Sequence, residues 1–174
     1  MKKYISIIIF LIVIAAVISL SAYDKGKKNV VGYLDGQAVK VQDLQNYADT
    51  LLGKTYAKKL ETADGRIEMF NNYVNRTLVL DEAKRTIKED TPFLTEHKMG
   101  KVDEDTALIT ALLKKEVNDK VKYSKEELQD FFMKSGKYKT MIEADNALIA
   151  QKRIEIFQKY MADLRSRHKI EIAG

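Results

Sequence analysis

The chain has 174 residues, with 30 Lys and Arg against 25 Asp and Glu, two His, one Pro, and no Cys or Trp. That length holds one ordinary domain with a buried core, and the lack of Cys excludes disulfide scaffolds, Cys-ligated zinc, iron–sulfur clusters and thiol catalysis. With 45% apolar and 32% charged residues the chain belongs with folded sequences, and its single proline favours long uninterrupted helices.

The first 22 residues stand apart. Lys2 and Lys3 precede an uncharged run from Ile5 to Leu20, the pattern of an export signal or an N-terminal anchor. Ser19 and Ser21 are small enough to guide cleavage after Ser21, which favours a cleaved signal over a retained anchor. Left uncut, the run spans roughly 24 Å as a helix, and residues 4–23 together approach the roughly 30 Å of a bilayer core. In either case the two lysines stay inside and the remainder is exported. Without Lys2 and Lys3 the balance is 28 basic to 25 acidic groups, well mixed, so no nucleic-acid partner is expected.

Residues 30–34 and 37–41 flank Asp35-Gly36, a pair suited to the positive φ angles of a two-residue hairpin turn. Two strands alone are marginal. Residues 169–172, with Ile170 and Ile172 on one face, are expected to add a third strand and bring the chain back to its first hairpin. Between them everything reads as helix. Leu44, Tyr47, Ala48, Leu51 and Leu52 mark a first helix stopped by Gly53. Asp64 is the expected N-cap of a long second helix carrying Ile67, Phe70, Val74 and Leu78 and ending near Ile87. Residues 88–101, with Pro92 and Gly100, read as a loop that Phe93 and Leu94 pin to the core. A third helix opens on Asp103, Glu104 and Asp105, closes on Lys120 and Lys122, and buries Ile109, Leu112, Leu113, Val117 and Val121. Ser124 to Glu127 form a capping box before a short helix with Leu128, Phe131 and Phe132, ended by residues 135–137. In the last helix Ala147, Ala150, Ile154, Phe157, Met161 and Leu164 form a heptad-like seam. It reads either as core packing against the second and third helices or as a dimer seam.

No phosphate-binding Gly loop, Gly-x-Ser-x-Gly elbow or His-Glu-x-x-His motif is present, so no nucleotide, metal or other cofactor is expected. The carboxylate pairs Asp103/Asp105 and Glu126/Glu127 sit at expected helix starts, where capping accounts for them. His97 and His168 lack the sequence neighbours of a triad or a ligand set. No catalytic residues are assigned.

The block Val30-Val31-Gly32-Tyr33-Leu34-Asp35-Gly36-Gln37-Ala38-Val39, running into Asp43-Leu44, resembles the opening of SurA/PrsA-type exported peptidyl-prolyl isomerases, whose chaperone domain begins with a VV-x-V-NG-x-x-I…DL hairpin-to-helix block. Residues 121–132, VKYSKEELQDFF, are similar to that family's "V-x-V/Y-S-x-E-E-L/V-x-x-F/Y-F/Y" passage, and residues 160–172 to its closing helix and strand. The resemblance spans residues 29–172. It implies a mainly α SurA N-domain-like body with a small sheet made of the N-terminal hairpin and a C-terminal strand. In the family a parvulin isomerase domain of roughly a hundred residues follows the short Phe-Phe helix; here only the residues near 135–144 fill that place, and the parvulin histidines and Gly-rich turns are missing.

The expectation is therefore an exported, ATP-independent chaperone-like protein, not an enzyme, in the periplasm or on the outer face of the cytoplasmic membrane. Its partners would be unfolded or nascent exported polypeptides, with membrane contact only through residues 4–23. Phe131, Phe132, Met133, Tyr138 and Met141 surround the missing insert and are the candidate peptide-binding residues, since Met adapts to irregular apolar ligands and Tyr offers an amphipathic face. Alternatively, Phe131 and Phe132 are core residues capped by Tyr138. Met69, Tyr73 and Met99 are weaker candidates. The alternative function is a membrane-anchored assembly subunit that docks one partner, or forms a homodimer, through the last helix.

Overall fold

A computed structural model describes residues 29–88 and 92–173. These are mainly helical, with one small three-stranded antiparallel sheet. The proposed signal or anchor, residues 1–22, lies outside the described residues. Among the described residues no helix is long and apolar enough to cross a membrane. The described residues divide into two units, one of residues 29–73 with 169–173, the other of those between Val74 and His168.

In the first unit β1 (Val30–Leu34) and β2 (Gln37–Lys40) form the expected hairpin, and β3 (Ile170–Ile172) pairs antiparallel with β1, in the order β2-β1-β3. Asp35 and Gly36 take φ of 50° and 81°, as a type I′ turn needs. Asp35 holds the returning strand as well: its N–H donates to the Lys169 carbonyl and its Oδ1 accepts from the Lys169 N–H, both at 2.8 Å. Glu171 stands opposite Tyr33, and Ile172 opposite Gly32. The β1–β2 register shifts between Val30 and Gly32, an irregularity that leaves Val31 as an extra residue.

α1 (Val41–Tyr47) continues into a π-helical stretch (Ala48–Leu52) that Gly53 ends at φ 83°. A short helix α2 (Lys54–Ala57) and a 3-10 turn (Lys58–Glu61), neither expected from the sequence, lead to α3 (Ala63–Thr86). Asp64 lies inside the first turn of α3 and is not its cap; the Thr62 hydroxyl accepts from the Gly65 N–H at 3.1 Å instead. Gly65 is required there, because an added Cβ would fall 1.9 Å from the Lys59 carbonyl oxygen. Phe70, Met69, Leu44 and Ala48 are fully buried, and Val31, Val39 and Leu60 nearly so. Tyr73 packs edge-on against Tyr47 with ring centroids 5.7 Å apart.

The second unit begins with the rest of α3. The segment read as a loop contains a helix, α4 (Pro92–Lys98), ended by Met99 and by Gly100 at φ 72°. Proline at its first position costs no hydrogen bond, since the first N–H of a helix has no partner within it. Leu94 is buried, whereas the Phe93 side chain lies outside what is described. α5 (Glu104–Glu116) is capped by Asp103 and passes into a 3-10 turn (Asn118–Lys120), shorter than the helix expected to Lys122. Its buried stripe is Ala107, Leu108, Ala111, Leu112 and Val117; Ile109, Leu113 and Val121 are only half-buried, so the helix is turned about one residue from its expected face.

α6 (Lys125–Ser135) and α7 (Met141–Ser166) complete the unit and pack on each other. α7 buries two different faces. Its first half buries Ala144 and Leu148, and its second half buries Met161 and Leu164. At 3.6 residues per turn those two faces are more than a quarter-turn apart. The expected core seam therefore holds only at Met161 and Leu164, while Ile154 is 57% and Phe157 37% exposed. No part of the stripe between the two buried faces is covered at Ile154.

Candidate functional site

The α6–α7 hairpin is built by local rules. Ser124 caps α6, its hydroxyl accepting from the Glu127 N–H at 3.2 Å, and Gly136 ends it in the left-handed region at φ 59°. Four residues later the Thr140 hydroxyl accepts from the Glu143 N–H at 3.2 Å, and Glu143 Oε2 accepts from the Lys139 N–H at 2.8 Å. These bonds start α7 cleanly, so the two helices are joined by only residues 136–140.

Two polar ties cross the hairpin. The Tyr123 hydroxyl donates to Asp145 Oδ1 at 2.5 Å, and Lys152 Nζ pairs with Glu127 Oε1 at 2.6 Å. The Asp145 carboxylate accepting its proton raises the Tyr123 phenol above its ordinary range, with burial adding to the effect. Backbone and Ser124 hydrogen bonds at the helix start hold the Glu126 carboxyl below its ordinary value.

The sequence-derived candidates fall into two groups. Phe131 and Tyr138 stack with centroids 5.5 Å apart and planes at 24°, and both are half-buried, as is Phe132. They act at once as the inner packing of the hairpin and as its apolar lining; no residue of α6 is fully buried. Met133 projects from the other face of α6, 64% exposed, and Met141 is 41% exposed in the first turn of α7. Next to it Ile142, which the sequence reading passed over, is the most exposed large apolar residue described, at 74%. Its signal was present: Thr140-x-x-Glu143 is a capping pattern that places residue 142 in a first turn, outside the face of Ala144 and Leu148. Met133, Met141 and Ile142 thus share the connection end of one hairpin.

The weaker candidates separate. Met69 is fully buried and so is a core residue; Tyr73 is half-buried against Tyr47; Met99 is 64% exposed in the turn after α4. His97 sits in the last turn of α4 rather than in a loop, and its Nδ1 lies 2.8 Å from the Val102 carbonyl oxygen. That contact assigns the ring a helix-stapling role. Among the described residues no cluster of three His, Asp or Glu side chains has metal-binding geometry. The chain matches no protein-family model, and neither curated proteins nor solved structures gave a match.

Proposed function

We propose that this chain is an exported, ATP-independent chaperone-like protein that holds unfolded or partly folded polypeptides, related to SurA/PrsA-type isomerases but without their catalytic domain. The observation that carries this reading is the exposure of Met133, Met141 and Ile142 around the short 136–140 connection, beside the Phe131–Tyr138 stack. Large flexible apolar side chains held in water carry a hydrophobic cost that a bound apolar client relieves, with little demand on client sequence. The half-buried Phe131, Phe132 and Tyr138 of the same hairpin add apolar surface if it loosens. The order of elements, hairpin to long helix to helical pair to closing helix and strand, supports the proposed relationship.

The test is suppression of aggregation of several unrelated unfolded proteins by the full chain. The double substitution Met133→Ser and Ile142→Ser should reduce suppression several-fold while leaving the far-UV circular dichroism unchanged, because both side chains are exposed. Equal suppression by variant and parent, or none by the parent, removes the proposal.

A second reading has its own observation. Ile154 and Phe157 continue the stripe of Met161 and Leu164 into solvent, which suits docking of one specific partner or of a second copy along α7. Under that reading the full chain sediments as a dimer or co-purifies with a single partner, and Ile154→Glu abolishes the association.

A further inference from the structure

From Phe132 to Ile142 the sequence carries three lysines, Lys134, Lys137 and Lys139, and no Asp or Glu. The fold gathers this stretch at one end of the α6–α7 hairpin, as the last turn of α6, the 136–140 connection and the first turn of α7. All three lysines are exposed. Lys137 and Lys139 make no ion pair among the described residues, and Lys134 has only the surface pair with Asp130 at 3.2 Å, a contact of little worth. Of the two carboxylates that flank the stretch, Asp130 faces Lys134 and Glu143 is engaged by the Lys139 N–H at the start of α7.

The exposed Met133, Met141 and Ile142 share this end with the lysines. Met133 lies in the last turn of α6 and the other two in the first turn of α7, so at about 1.5 Å per residue all three sit within roughly 5 Å of their helix ends. That depth matches the roughly 5–10 Å to which interfacial apolar groups sink at the headgroup boundary of a bilayer. Lysine stems are long enough to keep their charged heads among the headgroups meanwhile. An unfolded client presents charges of both signs along its length. An anionic leaflet presents one continuous negative surface, the partner that unopposed cations beside apolar groups select.

We infer that this end of the hairpin docks on an anionic phospholipid surface, Met133, Met141 and Ile142 entering the headgroup boundary while Lys134, Lys137 and Lys139 meet the lipid phosphates. The contact is separate from residues 4–23 and does not rest on the chaperone reading.

The chain has no Cys, so Ile142→Cys and, as a control, Gln158→Cys each accept a single environment-sensitive nitrobenzoxadiazole label. Gln158 is exposed on α7, about 24 Å along the helix from Ile142. The labelled full chain is diluted from mild detergent into vesicles of phosphatidylcholine alone or with about 30% phosphatidylglycerol. On the anionic vesicles the label at position 142 should brighten several-fold and shift to the blue; on the neutral ones it should stay near its level without lipid. The label at position 158 should change on neither. Salt at about 1 M, where screening acts within about 3 Å, should remove the response. Lys134→Gln, Lys137→Gln and Lys139→Gln together should remove it too, with far-UV circular dichroism unchanged because all three side chains are exposed. The triple variant should suppress client aggregation as the parent does, since that proposal rests on the apolar side chains, and the two readings therefore fail separately. No response at position 142, an equal one on neutral vesicles, an equal one at position 158, or one that survives the triple substitution overturns the inference. So does a response to a soluble, unfolded acidic polypeptide with none to the vesicles.

Discussion

Gly32 on β1 lies directly against the ring of Phe70 on α3: a Cβ built at Gly32 would stand 2.5 Å from Phe70 Cζ and 2.6 Å from the Glu171 carbonyl oxygen. The contact ties the long helix, the first strand and the returning strand at one point. Phe70 is fully buried and the second obstacle is backbone, so neither neighbour yields cheaply. Gly32→Ala should lower unfolding stability by about 1–3 kcal/mol, the usual cost of overpacking, measured by denaturant unfolding. A neutral result would mean that the strand and helix are free to separate.

Tyr160 carries a buried hydroxyl with no hydrogen-bond partner among the described residues. Burial, with the carboxylates of Glu82 and Glu116 adding, pushes its phenol up to about 12. The sign follows from linkage. Between the ordinary value near 10 and about 12 the unfolded chain releases this proton and the folded chain keeps it, so this contribution to stability is whole below about pH 10 and is lost as pH rises toward 12. Tyr160→Phe should leave neutral-pH stability equal or slightly higher, since an unpaired polar group is removed, and should flatten the alkaline fall of the melting temperature over that window.

Asp103 caps α5, accepting from the Thr106 hydroxyl at 2.6 Å and the Thr106 N–H at 2.9 Å. These bonds, led by the Thr106 hydroxyl, hold its carboxyl below the ordinary 3.8. The cap's pH-linked contribution is therefore complete above that value and fades as pH falls through the lower folded one. Asp103→Ala should lower the melting temperature at pH 7 and make little difference at a pH below both values. An equal loss at both would show that charge plays no part in the cap.

The α6–α7 hairpin should open before the rest of its unit. On α7 only Ala144 and Leu148 of its first half are buried, and α6 contributes no buried residue of its own. Hydrogen exchange should find the amides of α6 less protected than those of α3 between Val74 and Ala83, where Val74, Leu78 and Ala83 are buried. Leu148→Ala, at about 2–5 kcal/mol for a buried leucine, should speed exchange in α6 and in the first half of α7. Protection in α6 matching that of α3 would contradict this order.

Much of the architecture follows from local chemistry that a linear reading captures. Asp35-Gly36 demands positive φ, Gly53 and Gly136 end helices in conformations other residues resist, and Asp103 and Ser124 cap the helices that follow them. The pairing of residues 170–172 with the first hairpin was legible too, because two strands need a third and no other extended segment competes. Capping within α3 was misread because both Thr62 and Asp64 can cap, and only the position of the Lys59 carbonyl above Gly65 decides where the first turn begins.

The proposed client surface was half legible. Phe131, Phe132, Met133, Tyr138 and Met141 could be named from their place beside the short connection, but periodicity treats every residue of an apolar stripe alike. The seam of α7 is regular from Ala147 to Leu164 in sequence, and packing alone determines that Met161 and Leu164 are covered while Ile154 and Phe157 are not. The neighbouring elements approach α7 from different sides in its two halves, which is information a one-dimensional pattern does not contain. The same holds for Arg66: as sequence it is one cation in a mixed surface, and only the meeting of β1, α3 and β3 sets it beside Val30, Ile67 and Ile172 with no ion pair among the described residues. The chain's own pattern thus determined the hairpin, the returning strand and the main helices, though not α2, α4 or the start of α3, because those choices are largely made within a few residues. Which apolar and charged groups stay exposed was decided by the tertiary structure, because burial depends on what residues distant in the chain bring against them.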